Sequence, residues 1–160
     1  AVNITDGLDG LAAGLCTISF ISYGIIAFNS PFILSYEEIG IFCFTLAGAL
    51  IGFLFFNFYP AKIFMGDLGS LSLGATLASV SILLKSELSL VIIGLVFIIE
   101  TLSSFIQIIS IRYFNKKIFL KSPLHHHFEM LGFKETDIIK LFYLVSLVCC
   151  LITLIYILVH

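Results

Sequence analysis

Five long apolar runs, at about residues 8–28, 39–58, 70–84, 88–111 and 138–159, leave this chain few ways to fold. A helix that crosses about 30 Å of hydrocarbon needs roughly 20 residues, with about 17 as a lower limit. Within lipid every backbone N–H and C=O must be satisfied inside the segment, so each run is read as a helix rather than an open strand. The third run is short and spans only if its helix begins near Met65. Composition agrees: 60% of residues are hydrophobic, 11% are charged and the mean hydropathy is +1.17. Soluble chains carry roughly 45–50% apolar and about 25% charged residues, so an ordinary soluble domain is excluded. The expected fold class is an all-α polytopic membrane protein with five transmembrane helices in one integral membrane domain, residues 1–160. Cys16, Cys43, Cys149 and Cys150 all lie within apolar runs. They read as small packing residues, since neither a disulfide framework nor metal-ligand spacing accompanies them.

The bases set an orientation. With five spans, Lys62, Arg112, Lys116, Lys117, Lys121, Lys134 and Lys140 fall on one side and only Lys85 on the other. Basic loops mark the cytoplasmic side, so residues 59–69 and 112–137 are expected to be cytoplasmic loops. The start of the chain then lies inside and His160 outside. Three polar stretches share the inner face.

The first holds Asn3, Asp6 and Asp9 among glycines. If the helix begins at Thr5 or Asp6, the two acids are neighbours on one face. Two readings stand: dipole-stabilised acids at a helix start, or a site for a metal or polar ligand. The Asn3–Thr5 glycosylation sequon is discarded because it falls on the inner face. The second stretch, residues 57–70, reads N-F-Y-P-A-K-I-F-M-G-D-L-G-S. Pro60 ends the second span near Tyr59, and Gly66 and Gly69 let backbone approach a ligand. Asp67 stands where a hard cation and a phosphate could meet at the next helix start. Lys62 either neutralises phosphate or snorkels as an interface anchor. Phe64 faces lipid or core, or stacks on a base.

The third stretch, residues 122–129, holds His125, His126 and His127 after Pro123. In an extended loop, consecutive side chains point apart, which argues against one shared zinc. Anion binding or proton handling near neutral pH is the expectation. Glu100 lies mid-run in the fourth span, where an ionisable side chain is functional or paired, or a protonated structural acid.

Taken together, N-I-T-D-G-L-D-G-L-A, F-N-F-Y-P-A-K-I-F-M-G-D-L-G-S-L and P-L-H-H-H-F-E, in this order between apolar helices, resemble the phospho-N-acetylmuramoyl-pentapeptide transferase family. The likeness covers essentially the whole chain and corresponds to the second half of a ten-helix bundle. It implies an enzyme of the bacterial cytoplasmic (inner) membrane. Such an enzyme transfers phospho-MurNAc-pentapeptide from UDP-MurNAc-pentapeptide to undecaprenyl phosphate, giving lipid I and UMP, and requires Mg²⁺. By motif, Asp67 would be a metal ligand and Asp6 and Asp9 would line the catalytic and uridine side, with Asn3 beside them. Phe64 would stack on uracil near Asn57, Gly7 and Leu8, and Lys62 would meet substrate charge. His125, His126 and His127 would contact the diphosphate or the sugar-phosphate region.

The family carries an earlier aspartate pair, followed by a lysine, that has no counterpart before Asn3. The expectation is therefore a second half whose partner is the missing N-terminal half, inactive alone. A homodimer stays open, and nucleic acid is not an expected partner. Other readings are a UDP-GlcNAc-dependent GlcNAc-1-phosphate transferase, half of an ion-coupled transporter, or a non-catalytic membrane subunit.

Overall fold

The computed structural model describes residues 1–29 and 36–159. The connection between the first two spans, residues 30–35, lies outside the described residues. Helices α1 (Val2–Thr5), α2 (Leu11–Asn29), α3 (Tyr36–Asn57), α4 (Gly66–Leu83), α5 (Glu87–Ile93), α6 (Leu95–Phe114), α7 (Leu124–Met130) and α8 (Glu135–Val159) follow in order, with no strand among the described residues. Five of them, α2, α3, α4, α6 and α8, are long and apolar enough to cross a membrane.

These five helices are not equivalent. The apolar window of α2 is 78% buried, against 28–39% for the other four, so α2 is the axis around which the rest are arranged. It packs against α3, α8 and α4. Close approach is possible because small residues face its neighbours. A Cβ on Gly14 would collide with the Tyr143 hydroxyl of α8, and one on Gly24 with the Phe44 ring of α3 at 2.8 Å. Such contacts suit helix association in lipid, where packing rather than water exclusion drives assembly. The buried hydroxyls of Thr17, Ser19 and Ser22 donate to the carbonyls of Ala13, Leu15 and Ile18 at 2.8–2.9 Å, so none needs an outside partner. The outer helices instead expose Phe55, Leu71, Ile108 and Leu144, an apolar surface suited to lipid.

Local structure departs from the sequence reading in three places. Asp6 and Asp9 do not share a helical face. α1 stops at Thr5 and α2 starts at Leu11, and Gly10 at φ +81 cannot continue a right-handed helix. The fourth run is two helices, interrupted at Gly94 between α5 and α6. The histidine stretch is not an extended loop but the helix α7, capped by Pro123 at φ −64 and ψ 178. Its helical spacing puts Leu124 and Phe128 against the core. Phe128 meets Phe142 edge-on with ring centroids 6.0 Å apart. That apolar pair holds the turn as a helix.

α6 carries a buried polar stripe, Glu100, Ser103, Gln107 and Ser110, at helical spacing. Its lower half grips the chain that follows. Gln107 Oε1 accepts the N–H groups of Ile118 and Phe119 at 3.1 and 3.0 Å, and its Nε2 donates to the Phe119 carbonyl at 2.9 Å. Ser110 donates to the Lys116 carbonyl at 2.7 Å. Residues 116–119 thus fold back along α6 and deliver α7 beside Glu100.

Candidate functional site

The break between α1 and α2 forms a short aspartate loop, residues 6–10, that is held from several sides. The Asp9 carboxylate accepts the Ala61 N–H at 2.8 Å, and the Asp9 N–H donates to Glu135 Oε1 at 2.8 Å. The Tyr143 hydroxyl donates to the Gly10 carbonyl at 2.6 Å. Gly7 lies against the His125 ring, which a Cβ at that position would strike. Three distant segments (58–65, α7 and the start of α8) therefore meet at five residues.

A second set of contacts joins α1 to α4. Asn3 Nδ2 donates to Asp67 Oδ1 at 2.9 Å and to Ser70 Oγ at 3.0 Å. Asp67 is exposed in the first turn of α4, where the helix dipole favours a carboxylate. Asp6 is half-buried, and its carboxyl is pushed above the ordinary value first by burial and then by the negative charge of Asp67. The two acids therefore feel each other across the α1–α4 junction. Two neighbouring carboxylates, one of them exposed, can offer oxygens to a cation. Among the described residues no group of three or more His, Cys, Asp or Glu forms a cage. Mg²⁺ does not need one, since it commonly takes one or two carboxylates and fills its other positions with water and phosphate oxygens.

The segment after α3 is organised by Asn57. Its buried side-chain amide donates to the Ile63 carbonyl at 2.8 Å, while Lys62 N–H returns to the Phe56 carbonyl at 2.7 Å. The backbone is held, but the side chains of Lys62 and Phe64 project outward; Phe64 is 72% exposed. Phe64 borders an open hollow of about 330 Å³ with Leu50, Phe53, Met65 and Gly69. A larger hollow of about 490 Å³ lies between α3 and α4, near Glu38, Thr76 and Leu83. It is mostly apolar and touches none of Asp6, Asp9 and Asp67, so chemistry rather than size marks the site.

On α7, His125 is buried and paired with Glu100, His126 Nδ1 lies 2.5 Å from Glu129, and His127 Nδ1 accepts the Leu120 N–H at 3.1 Å. The fold thus brings together Asn3, Asp6 and Asp67, links Asp9 to the segment carrying Lys62 and Phe64, and sets His125 against Gly7. The Leu8 side chain is buried in the core. Lys62 makes no ion pair among the described residues. Glu135 and Tyr143 escaped the sequence reading. Glu135 resembles any acid in a first turn, and Tyr143 any aromatic in a span, until the chain folds over residues 6–10.

Residues 1–85 match the profile of glycosyl transferase family 4. The chain is 55% identical over 151 residues to the phospho-N-acetylmuramoyl-pentapeptide-transferase of Levilactobacillus brevis, covering 94% of this chain and 46% of that protein. It is 52% identical over 154 residues to the protein of the same name from Staphylococcus aureus, covering 96% and 47%. The chain spans about half the length of the curated relatives it matches.

Proposed function

The chain belongs to glycosyl transferase family 4, and we propose that it forms one wall of a phospho-N-acetylmuramoyl-pentapeptide transferase active site. The reaction is transfer of phospho-MurNAc-pentapeptide from its UDP carrier to undecaprenyl phosphate, giving lipid I and UMP. The observation that carries this reading is the Asn3–Asp67–Ser70 junction with Asp6 beside it. That junction sets Asp67 at the start of α4 with Asp6 at the end of α1 close enough to feel its charge, an arrangement in which a cation and a phosphate can both be held.

In this proposal Asp67, with Asp6 near it, would hold Mg²⁺, which supplies neutralisation of charge on the diphosphate and on departing UMP. Asn3 orients the Asp67 carboxylate through its amide. Asp9 ties the aspartate loop to the segment bearing Lys62 and Phe64. Phe64 offers an exposed ring for uracil, and Lys62 an ammonium for phosphate. Asn57 keeps that segment in shape by bonding its backbone. The lipid phosphate oxygen attacks the sugar-linked phosphorus in line with the departing UMP oxygen. The segments 59–69 and 112–137 face the cytoplasm, where the donor is available, and the remaining wall comes from a further part of the complete enzyme.

UMP release by the complete enzyme from UDP-MurNAc-pentapeptide and undecaprenyl phosphate tests the reading. Asp67→Asn is expected to lower turnover by about 10²–10³-fold. Near-normal Mg²⁺-dependent turnover in that variant would end the assignment. Preference for UDP-GlcNAc in a donor competition would move the protein to the GlcNAc-1-phosphate branch.

A further inference from the structure

Three consecutive histidines look interchangeable in sequence, yet the partners of two of them impose opposite polarities. The Leu120 N–H donates to Nδ1 of His127 at 3.1 Å. A backbone amide only donates, so this Nδ1 presents a lone pair and the proton of the neutral ring is on Nε2. Gln107 holds Leu120 in place by bonding both sides of the preceding Phe119 peptide. At His125 the arrangement is reversed. Glu100 Oε1 accepts the His125 backbone N–H at 3.1 Å, and its Oε2 is 2.9 Å from Nδ1. If Glu100 is ionised it only accepts, which puts the proton of the neutral ring on Nδ1 and the lone pair on Nε2. Glu100 and His125 are each 1% exposed, so water does not loosen the pair. His125 Nε2 is buried, has no hydrogen-bond partner among the described residues, and abuts Gly7. The pairing of His126 with Glu129 is partly exposed and carries no part of the inference.

We propose that Glu100 and the Leu120 amide are positioning groups that make His127 Nε2 a hydrogen-bond donor and His125 Nε2 an acceptor turned toward the aspartate loop. The donor suits a phosphoryl oxygen, and the acceptor suits an O–H or N–H that reaches Gly7. What the two rings meet rests on the transferase reading above; their polarities do not.

The test is a nitrogen-15 spectrum of histidine-labelled 160-residue chain in lipid nanodiscs, about two pH units above the ordinary imidazole range. His125 is expected to be protonated on Nδ1 and His127 on Nε2. In Glu100→Gln the single amide oxygen must face the obligate donor, the His125 backbone N–H. The amide nitrogen then faces Nδ1, and the ring proton moves to Nε2 of His125 while His127 stays as it was. Gln107→Leu, which frees Phe119 and Leu120, is expected to mix the His127 tautomers and leave His125 unchanged. The same tautomer on both wild-type rings overturns the proposal. So does a folded Glu100→Gln chain with His125 unaltered, or a folded Gln107→Leu chain with His127 unaltered.

In the complete enzyme, Glu100→Gln is expected to lower kcat by on the order of 10²-fold with KM for the UDP-sugar unchanged. Full kcat with an inverted His125 removes the catalytic consequence. Opposite polarities in a wild-type enzyme that does not turn over would sink the transferase reading and leave the histidine assignment standing.

Discussion

The aspartate loop and the segment after α3 are both polar interruptions between apolar helices, yet they are built in opposite ways. Residues 6–10 are held by side chains from elsewhere: Tyr143, Glu135 and His125 all reach them. Residues 58–65 are held by bonds to their backbone, from Phe56, Asn57 and Asp9, and most of their side chains are left exposed. Groups that place charge on a reacting phosphate gain from being fixed before the ligand arrives. A ring that only stacks on a base needs to be presented, not clamped. The contrast follows the division of labour proposed above.

The sharpest way to break the comparison is to remove the Asp9 clamp. Asp9→Ala leaves the Ala61 N–H without its carboxylate and is expected to destabilise the chain by about 1.5–3 kcal/mol. A thermal melt in detergent, followed by circular dichroism, reads this directly. Asp9→Asn keeps an acceptor oxygen and should recover most of the loss, so any activity defect it retains is chemical rather than structural. An Asp9→Ala melt that overlays wild type would show that the loop is not pinned through this residue.

Phe64→Ala is the complementary cut. It removes no described hydrogen bond and exposes no new core, so the melting temperature should stay put. Uridine nucleotide binding is expected to weaken by about 1–3 kcal/mol, the range seen for base–aromatic stacking, and Phe64→Tyr should restore it. Calorimetric titration of UMP onto the complete enzyme measures both variants. A lower melting temperature with intact binding would make Phe64 a packing residue.

The smallest effect concerns Asp6. Its carboxyl is raised in the fold, so its proton is held more tightly folded than unfolded. That contribution favours the fold below the ordinary carboxyl range and is lost as pH rises through the raised value. Asp6→Asn should therefore flatten the fall in melting temperature over that window. Asp67→Asn should flatten it less, because burial is the larger cause and the Asp67 charge the smaller. Equal or reversed responses would mean that the two acids do not interact in this way.

Much of this architecture could be read from the chain, because lipid imposes simple demands on length and charge. Pro60 and the paired glycines around Asp67 marked where a helix ends and the next begins. The interruption at Gly94 was hidden, since a lone glycine in an apolar run looks the same whether it breaks a helix or merely packs one. The histidine helix was misread because three polar residues after a proline carry a loop signature. Leu124 and Phe128, four residues apart, were the counter-signal. Asp67, Asp6 and Asn3 stood out as polar residues in an oily chain. Their grouping, and the roles of Glu135, Tyr143 and the Glu100–His125 pair, depend on contacts between residues far apart in sequence, which no local pattern records.

The near-complete enclosure of α2 has a consequence for biosynthesis. The helix emerges from the ribosome early in this chain, while α8, which covers its Gly14 face through Tyr143, begins only at Glu135. Between those two moments the Gly14 face of α2 waits without its α8 cover, while α3 and α4 already pack on the same helix. α8 is therefore the latch on that face of α2. Ribosome-stalled chains that end before Glu135 should leave Gly14→Cys open to a lipid-soluble maleimide, and completion of α8 should close it.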